Sequence, residues 1–556
     1  MNRIIHKFST LLLPLSIAAL TAFWFTGAIA QVTSGSISGT VLDQTGAAIS
    51  NATIKLNNPA TGVQRNVFSN EAGVFVAPNL PPGSYTITAE AKGFKTLVKK
   101  DLFLSATDRL NAGIFTLEVG GTTDTVTVTA DSGQLQLQAN SGERSDLITS
   151  KQLDSLALNG RNIIDMVKVI PGVASENPFD GSVSNRGGLD SFNINGTRSN
   201  QHEFTIDGSS NVDTGNNGSL HVTLNPDAIA EVKILTSNYQ AEYGKAGGGQ
   251  LVVVTKSGTK DFHGGARWFH RNESMNANSW FNNSFGSDPT TGAQSHPRPL
   301  YRYNYAGYQI GGPVIIPGTN FNKNRDKLFF FFNQEFYRQL IPSDPHTAMV
   351  PTDAVINGDF RGVVDGAGHP VTIIDPLTNA PFPNNVIPSG RLLPAMQAYL
   401  RLYPKPNVFG RNDYNYVSSA STDYPRREET ARIDYQISNA HRLFGRLTNN
   451  SSNRTEPFGS GLWGISAIPF PGGMQFSEPG WNASLGLTSV FSSTLVNEFT
   501  IGPSVAKLDA RGSNGNISRA SNPEIASVPL PFPVTPDVPI SDFQMDGIGD
   551  MGQAGT

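Results

Sequence analysis

The sequence predicts a mainly β chain in three parts: a small N-terminal β-sandwich, a compact α+β domain, and antiparallel strands patterned as part of a transmembrane barrel. Three observations predict it. Charged residues are 15% of the 556, against ~25% in typical domains, while 56 glycines and 36 prolines supply turns, a balance that suits strands better than long surface helices. Hydrophobicity changes period along the chain, from short β-type runs, to helix-like spacing after Ser145, to sustained two-residue alternation after Lys260. No segment after residue 30 is apolar enough to span a bilayer as a helix, so membrane insertion must use strands.

The chain is longer than the ~250–300 residues at which one core stops growing, which requires several domains. Its first thirty residues read as an export signal. Arg3, His6 and Lys7 precede the apolar run Leu11 to Phe25, and Ala28-Ile29-Ala30 before Gln31 supplies the small-residue cleavage site. Pro14, Ser16 and Thr21 interrupt that run and argue against a retained helix. The absence of cysteine excludes disulfides, thiolate zinc sites, thiol nucleophiles and a lipoprotein anchor. A net charge of -4 gives no basic field for a phosphate backbone, so nucleic acid is not an expected partner.

Residues 31–119 alternate strand-like runs with turns: Ser36 to Val41, Ala52 to Leu56, Gln64 to Ser69, Val74 to Val76, Ser84 to Glu90 and Leu110 to Leu117. Asp43 to Gly46 and Pro81-Pro82-Gly83 are the turns, and Phe68, Phe75, Tyr85 and Phe94 fall where core residues would. The stretch Gly39-Thr-Val-Leu-Asp43, with Gly46, Ala52, Gly73-Val-Phe75 and Leu80-Pro-Pro-Gly-Ser-Tyr85, resembles the carboxypeptidase regulatory-like domain. That resemblance implies a transthyretin-like, carbohydrate-binding-like fold and a non-catalytic module. A linker over 120–144 follows. In it Asp124, Thr125, Val126, Thr127, Val128, Thr129 and Ala130 resemble a TonB box, an unpaired strand that adds to the edge of a partner sheet; the sandwich's last strand or a plain linker is the alternative.

Over 145–259 Ser145 is expected to cap a helix carrying Leu147, Ile148, Leu153 and Leu156. A second helix carries Ile163, Ile164, Val167 and Ile170 and stops at Pro171-Gly172. Strands are expected at Ser191 to Asn195, Glu203 to Asp207, Ala230 to Thr236 and Gly249 to Thr255. Leu158-Asn-Gly-Arg161, Ile170-Pro-Gly-Val173, Arg186-Gly-Gly188, Asn195-Gly-Thr-Arg198, Ile206-Asp-Gly208, Glu231-Val-Lys-Ile234, Ala241-Glu-Tyr-Gly244, Gly247-Gly-Gly249 and Thr255-Lys-Ser-Gly258 together resemble the plug of a TonB-dependent receptor, nearest in kind to the Oar-like group, in which a regulatory-like domain precedes the plug.

From residue 260 to 556 one apolar set alternates with one polar set, as in a membrane barrel with lipid outside and water inside. Ala431, Ile433, Tyr435 and Ile437 alternate with Arg432, Asp434, Gln436 and Ser438, and a turn at Asn439-Ala440 leads to Leu443, Gly445 and Leu447. Trp481 to Thr488 and Leu495 to Ile501 form a second hairpin around Ser492-Ser493. Earlier candidates are Phe262 to His270, Tyr301 to Ile310 and Leu328 to Tyr337. Tyr301, Tyr303 and Tyr305, and Phe329 to Phe332, are assigned to aromatic girdles at the bilayer interface. Residues 339–428 and 450–480 are expected as extracellular loops. About seven strands are legible, whereas the resemblance implies about twenty-two, so the chain reads as a fragment or a truncated product.

Catalytic patterns are weak. His202-Glu203 lacks the second histidine of a zinc-protease helix and is expected at the surface, and Gly244 to Gly249 do not link a strand to a helix as a nucleotide loop must, which leaves flexibility as their role. Glu428-Glu429 and Asp207 with Asp213 lack a partner, and 207–217 lacks the terminal glutamate of a calcium loop. No cofactor, metal site or enzymatic activity is expected. The resemblance implies an outer-membrane receptor for energy-coupled uptake, in which TonB of the TonB–ExbB–ExbD complex pulls on residues 124–130. Arg161, Arg186 and Arg198 are expected to hold plug to barrel wall, or else to be solvated. Further partners are outer-membrane lipid, lipopolysaccharide and an extracellular ligand, an oligosaccharide being one candidate. The rival expectation is a surface carbohydrate-binding or adhesion protein anchored in the outer membrane.

Overall fold

The computed structural model describes residues 33–121, 125–129, 142–155, 159–175, 192–215, 217–284, 286, 298, 300–342, 345–460, 464–465, 468, 473–492, 495–512, 543–545 and 548–551. The expected export signal lies outside them.

The sandwich holds β1 (Gly35–Asp43), β2 (Thr53–Asn57), β3 (Gln64–Phe68), β4 (Val74–Leu80), β5 (Gly83–Glu90), β6 (Thr96–Leu104), β7 (Arg109–Leu117) and β8 (Thr125–Thr129). Its two sheets run β4-β1-β7 and β3-β2-β5-β6-β8. Alternate residues point inward, so Ile37, Val41, Ile54, Phe75, Ile87 and Phe115 form the core, with the Phe75 and Phe115 rings edge-to-face at 5.5 Å. Two details depart from expectation. Strand β6 is additional: Lys99-Lys100-Asp101 breaks its alternation, and the Lys99 ammonium is satisfied by the carbonyls of Ala112 and Ile114, each at 2.9 Å. Phe68, expected in the core, is 59% exposed because it ends the edge strand β3.

The second domain is a five-stranded sheet, β13-β12-β15-β14-β9, built from β9 (Arg144–Thr149), β12 (Glu203–Ile206), β13 (Ser209–Ser210), β14 (Ile229–Ser237) and β15 (Gln250–Thr255), with the short pair β10 (Val173–Ala174) and β11 (Asn193–Ile194) beside it. The helix expected from Ser145 is not there. Residues 144–149 instead pair antiparallel with β14, and helix α1 (Ser150–Ser155) starts after them. Thr149 is the true cap: its hydroxyl accepts from the Gln152 amide at 3.4 Å, and the Gln152 side chain accepts from the Thr149 amide at 2.8 Å. Such a reciprocal box outcompetes Ser145, which has no glutamate or glutamine three residues on. The second expected helix shrinks to one turn, α2 (Ile164–Val167).

The third part is an antiparallel sheet. Its long strands are β16 (His263–Arg271), β17 (Arg302–Pro313) and β18 (Leu328–Pro342). A long excursion then carries β19 (His346–Ala348), β20 (Ile374–Asp375), β21 (Ala380–Pro381), β22 (Tyr416–Ser418) and β23 (Ser421–Asp423) before β24 (Arg426–Gln436) and β25 (His441–Glu456). After β26 (Gly459–Ser460) and β27 (Gly464–Ile465) come β28 (Met474–Ser477), β29 (Gly480–Val490) and β30 (Val496–Ile501). All seven expected strands are present, with both hairpins in the expected places. Ile433, Leu447, Leu485 and Phe499 are exposed on the outer face, whereas Arg432, Asp434, Arg446 and Thr448 are buried on the inner one. The tyrosines do not form a girdle. Tyr303 and Tyr305 are inward-facing and buried, their rings stacked at 5.4 Å, and Tyr337 meets Tyr305 edge-on at 4.7 Å across the Tyr305↔Tyr337 pair. Residues 329 to 332 split by the same alternation: Phe329 and Phe331 are buried inward, Phe331 joining the core of the second domain, while Phe330 and Phe332 sit in the more open outward register.

Candidate functional site

The seam where the second domain meets the barrel's inner wall concentrates buried charge. Its hub is Asp207, at a positive φ of 46° in the turn that ends β12. The carboxylate accepts from the Thr255 amide (3.0 Å) and hydroxyl (2.6 Å), from Arg432 Nη1 (2.9 Å) on β24 and from Arg446 Nε (3.2 Å) on β25. Arg446 also donates to the carbonyls of Ile206 (2.9 Å) and Asn482 (2.8 Å), and the Asp207 carbonyl accepts from Ser484 at 2.9 Å. Arg432 turns its remaining fork on Asp434, with Nε at 2.9 Å, and Arg442 reaches the same carboxylate at 2.8 Å. One plug carboxylate is therefore enclosed by two barrel guanidiniums. Separating buried partners strands an uncompensated charge, at about 3–5 kcal/mol.

A second contact lies along β18. Arg161, also at positive φ, pairs with Asp227 of its own domain (3.0 Å) and with Glu335 of the wall (2.9 Å), and its guanidinium lies 4.5 Å from the Phe269 ring centre on β16. Arg267 of β16 reaches Asp227 at 3.1 Å. Thr223 hydrogen-bonds Glu428, and Asn225 hydrogen-bonds Asn333.

The sandwich forms the third side of the seam, at the end of the barrel where the turn Asn439-Ala440 lies. Lys233 of β14 is buried and holds Asp108 (2.6 Å), Thr107 (2.9 Å) and Glu143 (2.7 Å). Two positions earlier on the same face, Glu231 accepts from the Ala106 amide, and burial pushes its carboxyl up to about 7. Ser34 meets Glu498 of β30 at 2.8 Å, and the Lys260 amide meets the Ala60 carbonyl at 2.9 Å. A cavity of about 350 Å³ lies between β3 and the barrel turns, lined by Gln64, Phe68, Asn439, Ala440, Val490 and Val496.

Of the three expected plug arginines, Arg161 is where charge contact with the wall requires it. Arg198 is exposed and enters no ion pair among the described residues, and Arg186 lies outside them. In the candidate coupling segment, Asp124 and Ala130 lie outside the described residues. Thr125, Val126, Thr127, Val128 and Thr129 form β8, which is not unpaired: it runs parallel to β6 from Thr96↔Thr125 to Lys100↔Thr129. Asp207, Arg432, Arg446, Glu335 and Lys233 were not picked out as site residues from sequence. The available signal was Arg432 and Arg446 on the inward set of membrane strands, since ionisable side chains at that depth mark functional contacts.

Other patterns resolve structurally. His202 is buried rather than at the surface, stacked on Phe192 at 4.7 Å, with Nε2 3.1 Å from the Phe192 carbonyl. Gly248 serves close packing rather than flexibility, because a Cβ there would lie 2.4 Å from the backbone carbonyl oxygen of Gln201. Asp207 and Asp213 are separately engaged, Asp213 by the Gly215 amide and Ser219. Glu428 and Glu429 occupy opposite faces of β24, the first fully inward.

Fold and seam together define a membrane β-barrel wall wrapped around a globular stopper. Comparison with known proteins agrees. A carboxypeptidase regulatory-like domain matches residues 36–129, a TonB-dependent receptor plug domain residues 138–250, and an outer membrane beta barrel domain residues 254–556, more than half of the chain. The chain belongs to the TonB-dependent receptors of the outer membrane. The TonB-dependent transporter Oar of Myxococcus xanthus is 27% identical over 264 residues, 44% of this chain and 22% of that protein. The outer membrane transporter YddB from Escherichia coli aligns at a TM-score of 0.40 and 12% identity over 66% of this chain and 40% of its own. The siderophore receptor PirA from Pseudomonas aeruginosa aligns at 0.35 and 11% over 66% and 41%. The chain thus spans about a fifth of the curated relative and two fifths of these two solved structures.

Proposed function

We propose that the chain serves energy-coupled uptake of an extracellular ligand, with TonB of the TonB–ExbB–ExbD complex engaging residues 124–130 and outer-membrane lipid and lipopolysaccharide surrounding the barrel. The observation that carries this reading is the buried Asp207–Arg432–Arg446 cluster joining plug to wall. A stopper held by paired buried charges does not leave the lumen on thermal energy alone, so opening a path calls for an external pull. Segment 125–129 supports such a pull, being an edge strand whose outer side has no partner among the described residues. We read the chain as non-catalytic, because its inward carboxylates Asp207, Asp434 and Glu335 are committed to arginines. Arg161 is the plug–wall contact in this reading, Arg186 is kept as a candidate, and Arg198 takes the solvated alternative.

The test is capture of the detergent-solubilised chain by the periplasmic domain of TonB. Wild type binds, and Val126→Pro, which removes a backbone donor from the segment, does not. Glycan binding by the sandwich with no TonB capture overturns the reading in favour of a surface adhesin.

A further inference from the structure

We infer that the sandwich is a sheath for the coupling strand: β8 is stored against β6, and TonB gains it only by peeling it away. This rests on the reading of residues 124–130 as the coupling segment. Five residues of β8 are in parallel register with β6, and Val126 packs against the sandwich core. The approach to β8 is fastened too. The Lys95 amide meets the Glu118 carbonyl at 2.8 Å, the Gly120 amide meets the Gly93 carbonyl at 3.1 Å, and Lys95 pairs with Glu118 at 3.1 Å. Strand β6 cannot follow β8 outward, because Lys99 ties it to Ala112 and Ile114 in the opposite sheet.

Strand addition takes its affinity from main-chain bonds and its specificity from alternate side chains. While β8 is stored, half of its main-chain groups face β6 and Val126 faces the core, so a partner at the outer edge reads only the remaining half. The load path gives a second reason. A pull on stored β8 enters the sandwich, which is braced on the barrel through Ser34–Glu498 and on the plug through Lys233–Asp108. Once β8 is peeled, the same pull passes along the chain to Glu143, whose carboxylate is held by Lys233, and to the plug's edge strand β9.

The natural chain has no cysteine, so Val98→Cys with Thr127→Cys places a unique pair on one register step of the sheet's outer face. Neighbouring strands lie about 4.8 Å apart, within disulfide reach. The full chain in detergent is titrated with the periplasmic domain of TonB, first oxidised and then reduced. The oxidised form is expected to bind at least tenfold more weakly than the same protein reduced. Independently, hydrogen exchange at residues 96–100 of wild type is expected to quicken when TonB binds, because β6 becomes an edge. Equal binding by both redox forms, or unchanged protection of 96–100 in the complex, overturns the sheath while leaving the coupling reading intact. No binding by the reduced form and by wild type, or full binding by Val126→Pro, shows instead that the coupling reading is wrong and removes the sheath with it.

Discussion

Asp207→Asn isolates the charge at the hub with almost no change of shape. The amide oxygen still accepts from the Thr255 backbone, so the plug's own turn is kept, but Arg432 and Arg446 lose their shared counter-charge. The two differ in what remains. Arg432 keeps Asp434 through its other nitrogens, whereas Arg446, with its side chain fully buried, has Asp207 as its only carboxylate among the described residues. Nearly all of the cost therefore falls on Arg446, and a buried charge left unpaired costs about 3–5 kcal/mol. That cost should appear as docking free energy rather than plug folding. Hydrogen exchange of the plug sheet at Leu251 to Val254, measured in detergent micelles against urea, gives both. Asp207→Asn is expected to lower the urea midpoint for opening of this sheet by the equivalent of about 3–5 kcal/mol. Adding Arg446→Met removes the orphaned charge and restores most of the loss, because the remaining Arg432–Asp434 pair is complete. A single-variant effect under ~1 kcal/mol, or a double variant worse than the single, refutes the reasoning.

Three other outcomes follow from the geometry. Glu231 holds its proton in the folded protein up to about pH 7, against an ordinary 4.5, so between those values the folded state carries a proton the unfolded state has lost, and stability falls as pH rises through that window by about 3 kcal/mol at most. Thermal melts of the sandwich–plug unit from pH 4.5 to 7.5 should show this slope, and Glu231→Gln should flatten it. Gly258→Ala would place a Cβ 2.4 Å from the Phe330 carbonyl oxygen and 2.8 Å from that of Gly312, backbone atoms that cannot swing aside. It is expected to cost about 1–3 kcal/mol, read as faster proteolysis at the plug–barrel junction, and wild-type resistance would count against the packing described. Ile433→Arg puts a charge on the outward face and should destabilise insertion into lipid vesicles by about 2–4 kcal/mol if the site lies at mid-bilayer, an effect absent if that face meets water.

Strand positions were readable from sequence because alternation is a one-dimensional signal, and every barrel strand expected from it is present. Direction was harder to read. Tyr303, Tyr305 and Phe331 belong to the inward set, but an aromatic residue on a membrane strand satisfies either face, and only the register with Glu335 and Gln339 settles which. At Ser145 local propensity competed with pairing and lost, because β14 offered a complete ladder and Thr149 a better cap. The Asp207 cluster was illegible for another reason: its members lie far apart in the chain, and no short-range pattern announces that Arg432 and Arg446 point at one carboxylate.

That separation bears on how the molecule is built. Arg432 and Arg446 stand 225 and 239 residues beyond Asp207, whereas the plug's own sheet closes within residues 144–255. The globular part can therefore take shape early, with its key carboxylate still hydrated, and the two arginines stay hydrated until the wall's fourth and fifth long strands arrive. Burying these three charges together therefore requires the plug turn and both of those strands to be in place at once, so correct pairing of the wall and correct seating of the stopper depend on the same contact.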